Sequence, residues 1–126
     1  MRYLLDTHVV LWVLQGAPIS GIAKNIMDDV TSEVYVSIAS AWEVAIKVGA
    51  GKLKYAGGVR AFLDDIALNE FNLLGIQEPH VEMVEKLTNH HRDPFDRLLI
   101  ATAMTEGMTI LTADENIQQY NVLWAW

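Results

Sequence analysis

Short apolar runs alternating with amphipathic stretches constrain this chain more than any other feature. Tyr3-Leu4-Leu5, Glu33 to Ser37, Leu73 to Ile76, Thr109 to Thr112 and Val122 to Trp124 are too short for helices and read as strands. Between them, apolar residues recur at helical spacing. Val9, Val10, Val13 and Leu14 form one set, and Ile22, Ile26 and Val30 share a face behind a Ser20 cap. Trp42, Ile46 and Ala45 are expected to turn inward on a helix ended by Gly49-Ala50-Gly51. Phe62, Leu63, Ile66 and Ala67 mark another. Val81, Val84 and Leu87 follow Pro79, and Leu98, Leu99, Thr102 and Ala103 follow Asp93-Pro94. Strands joined by helical crossovers lie mostly parallel, and a parallel sheet needs both faces covered. The expected fold is α/β, with a mostly parallel central sheet of about five strands and helices on both faces. With 126 residues and 52% of them hydrophobic, the chain has room for one such core, a single domain over 1–126.

Composition narrows the function. The absence of cysteine excludes a disulfide framework and a zinc–thiolate cluster. No apolar run approaches the roughly 20 residues of a membrane span, and Asp6 interrupts any apolar leader. A soluble, cytoplasmic protein is expected, without a membrane partner. The formal charge of −7 opposes broad, unspecific binding to nucleic acid. It does not oppose a nucleic-acid enzyme, because carboxylates that converge on a divalent cation invert the local field.

Four acids fall at one kind of place. Ligands of open parallel sheets bind beyond the carboxyl ends of the strands. Asp6 directly follows the first strand, and Asp114 lies just past the fourth. Glu43 stands about one and a half turns into the helix after the second strand, and Asp96 in the first turn after Asp93-Pro94. Each has an ordinary explanation. Asp6, Asp93 and Asp114 suit helix N-caps, Asp96 suits a first turn, and Glu43 can pair with Lys47 four residues on. Glu43 fits its ordinary role least, because Ala39, Ala41, Trp42, Val44, Ala45 and Ile46 are expected to make its helix largely buried. Taken together, the four need compensation. Two carboxylates ~5 Å apart at an effective dielectric of ~20 repel by roughly 3 kcal/mol. A hard divalent cation removes that cost, which points to metal-assisted hydrolysis of a phosphodiester.

The segments Leu4-Leu5-Asp6-Thr7-His8, Ser37-Ile38-Ala39-Ser40-Ala41-Trp42-Glu43-Val44-Ala45-Ile46-Lys47, His91-Arg92-Asp93-Pro94-Phe95-Asp96-Arg97 and Leu111-Thr112-Ala113-Asp114 strongly resemble the PIN domain, and within it the VapC type of toxin. The resemblance covers the whole chain in the family's order and spacing. Asp-Pro-Phe-Asp-Arg and Trp-Glu-x-x-x-Lys are its specific parts. It implies a Rossmann-like sheet and Mg²⁺ or Mn²⁺ held by Asp6, Glu43, Asp96 and Asp114. It further implies RNA cleavage, a homodimer, and inhibition by a cognate antitoxin, whose basic segment would suit an acidic chain.

Other residues carry two readings each. Ser37 and Thr112 can orient a carboxylate or simply cap and end strands. Arg97 can contact an RNA phosphate or a neighbouring acid, or serve as a plain helix residue. Lys47 pairs with Glu43 or reaches substrate. Asp93 is assigned to capping. His8, His90 and His91 lack a paired metal spacing and read as solvated or core-edge residues. Trp12 and Trp42 fall on apolar patterns and are expected in the core, whereas Trp124 and Trp126 are open to base stacking or partner contact. Two rival functions are a phospho-acceptor signalling module and a non-catalytic interaction module on the same fold. The first calls for an acidic pair after the first strand and a lysine after a later one, and neither is present. The second calls for loss of a metal acid, and all four are present.

Overall fold

A computed structural model describes all 126 residues. The chain runs β1 (Arg2–Leu5), α1 (Thr7–Leu14), α2 (Gly21–Asp28), β2 (Glu33–Ser37), α3 (Ile38–Gly49), α4 (Gly58–Leu68), β3 (Asn72–Leu74), α5 (Glu78–Lys86), α6 (Pro94–Glu106), β4 (Thr109–Leu111), α7 (Glu115–Gln118) and β5 (Trp124–Ala125). The five strands form one sheet in the order β3-β2-β1-β4-β5, and every pairing is parallel. The chain enters at the centre, builds outward through β2 and β3, and returns to the other side of β1 as β4. That reversal puts the switch point, where open α/β sheets place ligands, at the carboxyl ends of β1 and β4.

Alternation along the central strands divides the core. Leu5 and Leu111 face one cluster with Val9, Val10, Val36, Val44, Phe62 and Ile66. Leu4 and Ile110 face the other with Leu99, Ile100, Ala103, Met108 and Ile117. Successive residues of a strand point to opposite faces, so Leu4-Leu5 and Ile110-Leu111 each serve both layers. Capping fixes the helix that crosses beneath the site. Asp93 accepts from the N–H groups of Phe95 and Asp96, Pro94 sits at the first position, and Gly107 closes α6 at φ 66°.

Several expected boundaries and faces shift. The third strand ends at Leu74 rather than Ile76, because Gly75 and Ile76 lead into α5, whose N-cap is Gln77. The fifth begins at Trp124 rather than Val122, whose N–H closes a turn on the Tyr120 carbonyl instead. Ser20 does cap α2, but its inward residue is Ala23. Ile22 is exposed, and Val30 lies beyond the end of the helix. On α3, Trp42 and Ile46 turn outward (58% and 47% exposed), against expectation, while Ser40, Glu43 and Val44 turn inward. Trp12 is only partly buried and packs on Trp126 at 5.7 Å.

His80, fully buried at the start of α5, ties that helix to α6. Its Nδ1 accepts from the Gln77 N–H, so Nε2 carries the proton and donates to Glu106 at 2.8 Å.

Candidate active site

The register of β1 against β4 pairs Leu5 with Leu111, which brings Asp6 and Thr112 side by side at the switch point. The Asp6 N–H continues the ladder to the Leu111 carbonyl at 3.1 Å. Asp6 holds the N-cap position of α1, yet its carboxylate makes no cap hydrogen bond. The side chain is 2% exposed. Its Oδ2 accepts from the Thr112 hydroxyl at 2.9 Å, while its Oδ1 is buried with no hydrogen-bond partner. The same hydroxyl accepts from the Asp114 N–H at 3.0 Å, so Thr112 joins the two acidic strand ends.

Glu43 repeats this pattern on α3. It is 3% exposed, with Oε2 held by Lys47 at 2.7 Å and Oε1 buried and unpartnered. Ser37 caps the helix by accepting from the Ala39 N–H. The Thr7 and Ser40 hydroxyls meet at 2.8 Å, pinning the first turns of α1 and α3 together. Each buried acid therefore has one oxygen clamped and the other free. A buried carboxylate oxygen without a donor is costly unless something else supplies the contact.

Asp96 stands in the first turn of α6, its Oδ2 2.8 Å from His91 Nε2. Asp93 spends its Oδ1 on capping, as expected. Asp114 likewise caps α7 by accepting from the Asn116 N–H. His91, Asp93 and Asp96 offer ligand atoms within 4.8 Å of one another, a grouping that the sequence did not suggest.

Electrostatics join these groups into one neighbourhood. Burial first, and then the charges of Asp93, Asp6 and Glu43, raise the Asp96 carboxyl to about 6 against the pull of His91. Burial also raises Asp6. Thr112 and His8 oppose the shift, while Asp114 reinforces it. The His8 N–H pulls on Asp6 without meeting hydrogen-bond geometry. Lys47 is raised by its hydrogen bond to Glu43, and more weakly by Asp93 and Asp96. One field thus links the four: Asp114 acts on Asp6, and Asp6 and Glu43 act on Asp96, so the charged forms of Asp6 and Asp96 are penalised. The free oxygens of Asp6 and Glu43 suit a hard divalent cation, although the one set of ligand atoms drawn within 4.8 Å of one another is His91, Asp93 and Asp96 and not the four acids.

The supporting residues divide. Thr112 is bonded directly to Asp6, whereas Ser37 is a helix cap. Arg97 points away from the acids. Its guanidinium donates to the Thr88 and Val84 carbonyls and to the Tyr120 hydroxyl, fastening the segment between α5 and α6. The contacts of His91 and of the Thr7–Ser40 pair escaped sequence reasoning, because no local spacing encodes a contact made across a loop or between two helices.

Lys47 is the sole cation on Glu43, so Lys47→Met strands a charge that is 4% exposed. In chelator, urea unfolding is expected to show a loss of about 2 kcal/mol, below the full cost of breaking a buried pair because Lys47 itself is 40% exposed. Lys24→Met, which breaks the exposed Lys24–Asp28 pair, should change stability by under ~0.5 kcal/mol. Equal effects from the two would contradict the assignment.

The PIN domain family model matches residues 3–123. No curated protein matches the chain in sequence. Solved structures share its fold. VapBC2 from Rickettsia felis, bound to a promoter DNA fragment, superposes with TM-score 0.75 at 16% identity, over 99% of this chain and 98% of that one. VapBC-1 from nontypeable Haemophilus influenzae gives TM-score 0.71 at 19% identity, over 99% and 97%. FitAcB from Neisseria gonorrhoeae gives 0.69 at 19%, over 97% and 95%. The family model spans nearly the whole chain, from the first strand to the segment before the last. The chain belongs to the PIN domain family.

Proposed function

We propose that this protein is an endoribonuclease dependent on Mg²⁺ or Mn²⁺, and the VapC-type toxin of a toxin–antitoxin pair. The observation that carries the proposal is the pair of buried, unpartnered oxygens, Asp6 Oδ1 and Glu43 Oε1, at the switch point of the sheet. Asp6, Glu43, Asp96 and Asp114 would hold the ion. When bound, it would supply Lewis-acid chemistry, acidifying water and offsetting charge that builds on a phosphate. The protein's own part is positioning. Thr112 fixes Asp6, Lys47 fixes Glu43, and the Asp93 cap sets the first turn that carries Asp96. Preset carboxylates need no reorganisation as charge develops.

Structural likeness to proteins described as VapBC complexes supports the antitoxin partner. A net charge of −7 suits an antitoxin that presents a basic segment. The protein would work as a homodimer in the cytoplasm. No helix is long and apolar enough to cross a membrane.

The test is a titration of purified, partner-free protein with Mg²⁺ or Mn²⁺ in total cellular RNA, with EDTA as control. Discrete cuts that EDTA abolishes are expected. Metal binding by calorimetry without any cleavage would remove the nuclease. Absence of both would remove the metal site as well.

A further inference from the structure

Trp42 breaks the usual logic of a buried aromatic. It sits 58% exposed on α3, although the inner face of that helix is packed. Its ring meets Phe95 nearly edge-on, with centroids 5.1 Å apart and planes at 77°. Trp42 directly precedes Glu43, and Phe95 directly precedes Asp96. Each ring therefore starts about 3.8 Å along the backbone from a candidate metal acid. Two elements distant in sequence place an aromatic next to an acid, and the two aromatics touch.

Charge indicates what such a pair would meet. Acids repel a phosphate unless a cation stands between them, so a substrate needs further affinity from its surroundings, and two basic side chains of these segments are already engaged. Lys47 holds Glu43, and Arg97 holds the Val84 and Thr88 carbonyls. With 16 acidic residues against 9 basic ones, the chain draws little from the phosphate backbone. A nucleobase is uncharged and presents a π-face, so an aromatic platform binds it without that penalty.

We propose that Trp42, buttressed by Phe95, is a stacking platform for an unpaired nucleobase adjacent to the phosphate that would be cut at the acids. The proposal rests on the nuclease reading and deepens it, because a base must be unstacked to use the platform. The site thereby selects single-stranded over duplex RNA.

The experiment measures fluorescence anisotropy of labelled short oligo(A), an abasic backbone of equal length and an RNA duplex. Wild type, Trp42→Ala and Trp42→Phe are compared, each also in the non-cutting Asp96→Asn background. Trp42→Ala is expected to weaken oligo(A) binding about ten- to hundredfold and Trp42→Phe only a few-fold. The abasic backbone should bind weakly to all three. Indifference of oligo(A) binding to Trp42→Ala, or equal binding of the abasic backbone, would overturn the platform. So would light scattering in which Trp42→Ala dissociates a dimer without changing oligo(A) affinity, which would make the patch an interface between copies. RNA cutting indifferent to Trp42 keeps the nuclease and removes the platform. Trp42-dependent oligo(A) binding by a protein that never cuts does the reverse.

Discussion

Asp6→Asn is expected to abolish metal-dependent RNA cleavage while leaving the chain folded. The substitution keeps the shape of a side chain that is 2% exposed, and an amide oxygen can still accept from the Thr112 hydroxyl. What it removes is the charge and the second carboxylate oxygen, the one without a partner. Lewis-acid stabilisation contributes several kcal/mol to such reactions, so misplacing the ion should cost about a thousandfold or more in rate. Stability should move little. The burial that raises Asp6 means that its charged form is disfavoured, and losing that charge offsets an amide N–H left without an acceptor, which costs ~1–3 kcal/mol. Single-turnover cleavage and thermal melts in EDTA measure the two effects separately. Activity within tenfold of wild type would take Asp6 out of the site. An unfolded variant would show instead that the carboxylate is structural. Thr112→Val, which frees Asp6 without removing it, would then distinguish positioning from ligation.

What could be read from the sequence, and what could not, divides along physical lines. The strands were legible because parallel strands are short apolar runs, and the acids after them stood out only when taken together, since each alone suits a cap, a first turn or a helix pair. The facing of α3 was not. That helix carries two stripes with the same spacing, Trp42 with Ile46 and Ser40 with Val44, about 160° apart around the axis. Hydrophobicity alone favours the first. The structure turns the second inward, because Glu43 must reach the sheet end and its neighbours follow it. A buried carboxylate overrides the apolar pattern, and the displaced tryptophan is left exposed against Phe95. Arg97 was open to three readings, an RNA phosphate, a neighbouring acid or a plain place on the helix. Its partners are backbone carbonyls of the preceding segment, which no side-chain pattern reveals. His91 was passed over for lack of a metal spacing, yet the loop before α6 folds it onto Asp96.

Asp96 makes the conflict between site and fold measurable. Its carboxyl is raised to about 6 from an ordinary 3.8, first by burial and then by the charges of Asp93, Asp6 and Glu43. The folded chain therefore holds this proton more tightly than the unfolded chain. Its favourable contribution is complete below about pH 4 and is lost as pH rises through about 6. At neutral pH the ionised group costs the metal-free protein at most ~3 kcal/mol, and nearer ~1–2 kcal/mol after screening at its partly open edge. Asp96→Asn cannot ionise, so the variant should exceed wild type by about that amount at pH 7.5 in EDTA. The difference should shrink toward zero or reverse by pH 4.5, where the wild-type carboxyl is mostly protonated. Urea midpoints of both proteins across this range measure it, and the subtraction cancels groups common to both. Mg²⁺ or Mn²⁺ should restore the wild type at pH 7.5 and leave the variant nearly unmoved, because the ion supplies the countercharge that the fold lacks. A wild type that outlasts Asp96→Asn at pH 7.5 without metal would mean that the His91 contact dominates the repulsion. Asp96 would then be an ion-pair partner and not a residue held in reserve for a cation.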